Sequence, residues 1–264
     1  MSLQHSGLKG SVTMKLSQLQ NLCKRDPAGY ADDYQSQLSR FAAELHILES
    51  NPGRESSKLV DLMQFVAAVT SSAYKADAAG VAAKLTSLLS THAAALHADT
   101  RRAAAQCLVL MRNRNAVEPD ELMELFFGLM TVPDKALRSM VYSHIIQDVK
   151  SLNKNGKNEK VNRRIQAYMH RLLSTTVAGR EGGKGGGRDA PGAATARKCV
   201  DIACDLYRQN IWTDAATVNM IATASLSDVQ PIMVRAVHFF LGIEDRMSDD
   251  KEKEENDVWA GISD

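Results

Sequence analysis

A chain of 264 residues can bury one sizeable core or stack as an elongated array of helices. Aromatic residues make up only 5% of it while Ala, Leu and Met are plentiful, and no stretch alternates as a half-buried strand would, which favours helix over sheet. The formal net charge of +1 hides an uneven distribution: residues 244 to 264 hold nine acids against three bases, so the remainder carries +7.

In chain order, residues 1 to 15 read as a flexible N-terminus, and residues 16 to 23 as a short helix closed by Lys24, Arg25 and Asp26-Pro27. A longer helix on Leu38, Phe41, Ala42, Leu45 and Leu48 ends at Asn51-Pro52-Gly53. The next runs from Ser56 to Thr70 on Leu59, Leu62, Met63, Val66 and Val69. Residues 78 to 91 and 99 to 113 form a pair, the second helix capped by Asp99 with Ala104, Cys107, Leu108 and Met111 facing inward. Residues 117 to 150 read as two helices packed back to back across a three-residue turn. Leu122, Met123, Leu125, Phe126, Leu129 and Met130 wrap most of the first and leave Glu121 and Glu124 for water, the pattern of an inner helix. The second starts at Pro133-Asp134 and buries Leu137, Met140, Val141, His144, Ile145 and Val149. A polar turn, SLNKNGKNEK, leads to a helix on Val161, Ile165, Tyr168, Met169 and Leu172. Residues 178 to 192 read as a low-complexity, disordered insertion, too Gly-rich to fold. Order resumes at Thr195 with Cys199, Val200, Ala203, Leu206 and Tyr207, and helices near 214 to 224 and 229 to 241 complete a helical domain over 16–242. The acidic tail, 243–264, has the composition of a disordered segment.

Helix pairs that cannot bury their stripes alone suggest a repeat, and a basic residue near the start of each second helix supplies a ruler. Arg102, Arg138, Arg197 and Arg235 stand 36, 59 and 38 residues apart; treating residues 177 to 195 as an insertion of 19 brings the long step to 40. HEAT units run about 40 to 47 residues and tetratricopeptide units about 34. The expected fold is therefore all-α, a HEAT/armadillo-like α-solenoid of antiparallel helix pairs. The alternative is an irregular bundle that carries an Arg in several helices.

No catalytic constellation emerges. The Gly-rich stretch fails as a phosphate loop: Lys184 is followed by Gly185, Ala178 occupies the first glycine position, and a helix precedes it. His92 and His97, like Cys199 and Cys204, are five apart, so neither pair makes a metal site on one helix face; no metal, cofactor or small-molecule substrate is expected. Glu121 with Glu124, and His144 with Asp148, are ordinary helix neighbours. The four cysteines, Cys23, Cys107, Cys199 and Cys204, lack paired spacing and read as buried reduced thiols of an intracellular protein. The N-terminus has no signal-peptide pattern and no run approaches the ~18 apolar residues of a span, so a soluble, non-secreted protein without membrane contact is expected.

The most informative polar feature is a basic set at one turn: Lys150, Lys154, Lys157, Lys160, Arg163 and Arg164, interleaved with Asn153, Asn155, Asn158 and Asn162. Lys, Arg and amide side chains suit phosphate and sugar contacts, while the scarcity of aromatics argues against base stacking. A solvated charged loop is the competing reading. Arg112, Arg114, Lys24 and Arg25 at other helix ends could extend a basic edge.

Several segments, taken together and in order, resemble one known family: QLQNLCKRDP (18 to 27), LVLMRNRNAVEPDELMELFFGLM (108 to 130), DKALRSMVYSHIIQDVK (134 to 150), NEKVNRRIQAYM (158 to 169), DLYRQNIWTDAATVN (205 to 219) and FFLG (239 to 242). They are similar to the N-terminal domain of the severe-depolymerization-of-actin (SDA) family of nucleolar proteins. The resemblance implies a non-catalytic factor of the nucleus and nucleolus, needed to assemble and export the large ribosomal subunit. Its implied partner is the pre-ribosomal large-subunit particle, both ribosomal RNA and assembly-factor proteins. The actin phenotype behind the family name is read as indirect. Two departures stand out: the Gly-rich insertion, and the stop at Asp264 where family members usually continue into a highly charged C-terminal region. The alternative function is a helical-repeat adaptor or transport receptor that binds proteins without RNA contact.

Overall fold

Apolar spacing of three and four residues sets the helices, and polar side chains set where they begin. The computed structural model describes residues 15–178 and 192–243. Apart from Lys15, Ala178, Gly192 and Ile243, the N-terminal segment, the glycine-rich insertion and the acidic tail singled out in the sequence lie outside these residues. Among the described residues there are eleven α-helices and no strand: α1 Leu16–Arg25, α2 Ala31–Ser50, α3 Ser57–Thr70, α4 Ala78–His92, α5 Ala98–Asn113, α6 Pro119–Leu129, α7 Lys135–Leu152, α8 Glu159–Ala178, α9 Ala193–Arg208, α10 Ala215–Ser225 and α11 Gln230–Phe240. A single 3₁₀ turn, Lys75–Asp77, precedes α4. The four ruler arginines fall on α5, α7, α9 and α11, the second helix of each successive pair, as the repeat requires. The link between α6 and α7 runs over 130–134, longer than the three residues expected.

Four helix starts are capped by a side-chain oxygen that accepts the backbone N–H three residues on. These are Ser56 to Leu59 (3.3 Å), Asp134 to Leu137 (3.0 Å), Asn158 to Val161 (3.3 Å) and Asp214 to Thr217 (2.9 Å). Asp99, expected to cap α5, instead lies in its first turn; the cap position is His97, whose side chain makes no capping bond. A negative charge there still favours the positive end of the helix dipole. The stops also repeat. Asn115 (φ 58°), Asn210 (φ 58°) and Gly242 (φ 66°) take the left-handed conformation just past α5, α9 and α11. In each case the next N–H reaches back to the last turn: Ala116 to Met111 and Ile211 to Leu206 at 2.9 Å, Ile243 to His238 at 3.0 Å.

The chain divides within α7 into two compact units, residues 1–141 and 142–264. In the first, α3 is the hub against which α1, α2, α4 and α5 pack. Its core side chains include Leu59, Leu62, Met63, Phe65 and Val66 from α3, with Leu85, Leu89, Leu108 and Met111 from α4 and α5. The inner-helix reading of α6 holds: Leu122, Met123, Phe126, Phe127 and Leu129 are buried while Glu121 and Glu124 are exposed. At the N-terminal end, Tyr34 stacks on Tyr74 with ring centres 3.8 Å apart and donates to Asp77 at 2.8 Å. Asp134, whose side chain is 1% exposed, receives both neighbouring arginines of α5, Arg101 at 2.8 Å and Arg102 at 3.0 Å. Arg101 also donates to the carbonyls of Ala93 and Leu96, which ties the α4–α5 turn to the start of α7.

In the second unit α8, α9, α10 and α11 pack on one another around Met169, Leu173, Val200, Ala203, Ile221 and Ile232. Trp212, in the link between α9 and α10, is its largest wholly buried side chain. Arg235 of α11 reaches back to Asp201 of α9 at 2.7 Å, and Asp205 accepts the Tyr142 hydroxyl. The ruler arginines thus share a position but not a partner: Arg102 binds an acid that follows it, Arg235 one that precedes it. All four cysteines are free and buried, two in each unit.

Burial alone would raise the Asp134 carboxyl, but the Arg102, Leu137 N–H and Arg101 hydrogen bonds outweigh it and hold it at about 2. A depressed carboxyl gives stability that is present above its unfolded value, near 4, and is lost as pH falls toward 2. Asp134→Ala should cost about 3 kcal/mol in chemical denaturation at pH 7, since it leaves two arginines without their acid. The gap between variant and wild type should close as the pH is lowered from about 4 to 2. Asn210→Ala should cost about 1 kcal/mol and Asn210→Gly close to nothing in the same assay, because only the left-handed backbone distinguishes them.

Candidate functional site

The turn between α7 and α8 has no apolar side chain to anchor it, so polar groups must do so. Gly156 takes φ 131°, open only to glycine, and reverses the chain. Asn153 and Asn162 face each other in a reciprocal amide pair: Asn153 Nδ2 donates to Asn162 Oδ1 at 3.0 Å, and Asn162 Nδ2 donates to Asn153 Oδ1 at 2.7 Å. Asn153 also donates to the Val149 carbonyl at 2.7 Å and accepts the Asn158 N–H at 3.1 Å, while Asn158 caps α8. Three of the four asparagines that the sequence offered to phosphates and sugars are therefore engaged within the turn, and Asn162 is buried; Asn155 alone is exposed.

This frame holds the cations outward. Lys150, Lys154, Lys157, Lys160, Arg163 and Arg164 are all exposed, and all lie in the second unit. Lys150 sits in the last turn of α7, where the helix dipole favours a positive charge. Lys157 reaches Thr213 Oγ1 at 3.4 Å. Next to it, burial works to raise the Asp214 carboxyl, but hydrogen bonds from Gln166 and Thr217, with the Lys157 charge behind them, hold it below the ordinary range. Arg163 pairs with Glu159 at 2.9 Å, both well exposed, an interaction of little energetic weight that leaves the surface net positive.

The remaining two candidates, Arg112 and Arg114, lie in the first unit. Arg112 is buried, its guanidinium directed at Asn115 Oδ1 (3.5 Å) and the Val117 carbonyl (3.4 Å), where it braces the end of α5. Arg114 donates to the Ala68 carbonyl at 2.7 Å and to Ser71 Oγ at 3.1 Å, closing the C-terminus of α3. Both are in the first unit and serve its packing. Helix-end position suggested exposure, which Arg114 keeps while Arg112 is buried; a carbonyl-rich helix end is also where an arginine finds internal acceptors.

Among the described residues no group of three His, Cys, Asp or Glu comes together, and no helix is long and apolar enough to cross a membrane. The second unit also exposes large apolar side chains that the sequence reading did not pick out: Leu226 (76% exposed) after α10, and Phe240, Leu241 (66%) and Ile243 at the end of α11. Helical spacing alone could not separate these from core positions.

A family model described as SDA1, HEAT repeat matches residues 65–263. The chain belongs to the SDA1 HEAT-repeat family. The solenoid class expected from the spacing of helix pairs is the one this family carries. Protein SDA1 homolog of Xenopus laevis is 37% identical over 227 residues, 86% of this chain and 31% of the frog protein. The Drosophila melanogaster homolog is 36% identical over 244 residues (92% and 32%), and Protein SDA1 of Chaetomium thermophilum 32% over 251 (93% and 31%). The chain thus spans about a third of the length of the curated relatives it matches.

The amide pair is the element that a variant can test. Asn162→Ala should cost about 2 kcal/mol in chemical denaturation, because it removes the buried member of the pair and both of its hydrogen bonds to the half-buried Asn153 amide. In a double-mutant cycle with Asn153→Ala the two losses should fall short of additive by about 1 kcal/mol.

Proposed function

We propose that the chain is a non-catalytic ribosome-biogenesis factor required for assembly and nuclear export of the large ribosomal subunit. It acts in the nucleus and nucleolus and docks on pre-ribosomal particles by laying the α7–α8 cation face on ribosomal RNA. Membership of the SDA1 family supports the role that the resemblance implied. The observation that carries the RNA contact is the display of six exposed cations on a turn whose asparagines are tied to one another. Phosphate binding by such a face depends on counterion release and so falls steeply with salt.

A second reading, a protein-binding adaptor or transport receptor, is favoured by the exposed apolar side chains Leu226, Phe240, Leu241 and Ile243. An apolar contact is nearly indifferent to ionic strength, which separates the two.

The tagged chain, sedimented from a lysate of its own cells through a sucrose gradient, should travel with large-subunit precursors and recover their RNA. Replacing Lys150, Lys154, Lys157 and Lys160 together by Glu should deplete the heavy fractions about tenfold or more while leaving helical content unchanged by circular dichroism. If the charge-reversed protein still co-sediments and Leu226→Asp with Leu241→Asp abolishes it, the adaptor reading replaces this one.

A further inference from the structure

The cation surface does not end at the turn. Along α8 the exposed positions are Glu159, Lys160, Arg163, Arg164, Ala167, His170, Arg171 and Thr175, against a buried side of Asn162, Ile165, Gln166, Met169 and Leu173. At 100° per residue, Lys160, Arg164, Ala167 and Arg171 fall within one narrow band on the helix, which rises roughly 16 Å from the first to the last of them. Three of the four are cations, and the fourth is the smallest chiral side chain. Glu159, the acid on this face, lies off the band and is paired with Arg163.

We infer that this band is a site for the phosphate–ribose backbone of duplex RNA, bound by charge and shape without reading bases. The inference rests on the proposed RNA-docking role of the α7–α8 face and specifies which form of RNA it takes. A row of cations spaced along one helix suits a regular row of phosphates, whereas sequence-tolerant binding of single strands relies on exposed rings that stack on bases. The ring on this side of α8 is Tyr168, half-buried and covered by the Arg171 guanidinium 5.1 Å above its centre. Base edges are read by amides and bidentate arginines, but the amides of Asn153 and Asn162 are engaged with each other, and the Asn158 side-chain oxygen caps α8. Ala167, without bulk, lets the backbone approach between the flanking cations.

Fluorescence anisotropy on the whole 264-residue chain tests this, with an RNA duplex of about 20 base pairs, its separated strands, and a polyglutamate peptide of matched charge. The expected result is duplex RNA bound about tenfold more tightly than either strand, with duplexes of unrelated sequence within about twofold of one another. Replacing Lys160, Arg164 and Arg171 by Glu should flatten the plot of log affinity against log salt by about 3, one for each cation. Arg171→Ala alone, at an exposed position, should flatten it by about 1 and guards against a misfolded triple variant. Tighter binding to single strands, an unchanged slope, or polyglutamate bound as well as the duplex would each overturn the inference. Single-strand preference would leave the RNA-docking role standing, whereas no binding to any RNA at low salt would remove both.

Discussion

Several helices of this chain are too short to stand by themselves. α6, α10 and α11 have only 11 residues each, shorter than the roughly 12 to 15 at which isolated helices become even marginal in water. Each is held by apolar faces shared with neighbours, built mostly from Leu, Val, Ala and Met. Such side chains fill space well but carry little directional information, so two helices could slide past one another at small cost.

What fixes the register is a set of polar joints, each placed where one helix gives way to the next. Asp134 joins α5 to α7, the Asn153–Asn162 pair closes α7 onto α8, Gln166 meets Asp214 and Thr217 between α8 and α10, and Arg235 meets Asp201 between α11 and α9. Buried or half-buried polar groups tolerate few alternatives, since a slip of one residue would leave a donor or acceptor unmet. The binding face then consists of what the joints leave over. At the α7–α8 turn the amides of Asn153 and Asn162 are drawn in, and the lysines and arginines stay exposed.

Helix existence and type were readable from apolar spacing, because a 3.6-residue period survives averaging over a turn or two. The alternate placing of Arg102, Arg138, Arg197 and Arg235 was equally legible. What escaped were contacts that depend on geometry between elements. Arg112 and Lys150 look alike in sequence, each a base at the end of a helix, yet one is buried against the Val117 carbonyl and the other is exposed. Asn153 and Asn162, nine residues apart across a turn, look like surface amides until the chain reversal at Gly156 sets them face to face. The left-handed Asn115 and Asn210 were hidden because asparagine, unlike glycine, is common in many settings besides a helix stop. The cation band along α8 went unremarked because Arg171 lies beyond the turn that drew attention to its neighbours.

The cysteines have a practical consequence. Burial pushes the Cys107 and Cys204 thiols up to about 12 and raises Cys23 and Cys199 as well, so the folded chain presents almost no thiolate at neutral pH. Because the thiolate is the nucleophile, alkylating reagents and mild oxidants have little to react with until a helix opens. Cys23 and Cys107 lie in one unit, Cys199 and Cys204 in the other. Labelling rates read peptide by peptide therefore record the local opening of each half of the molecule separately, with reporters already built into the sequence.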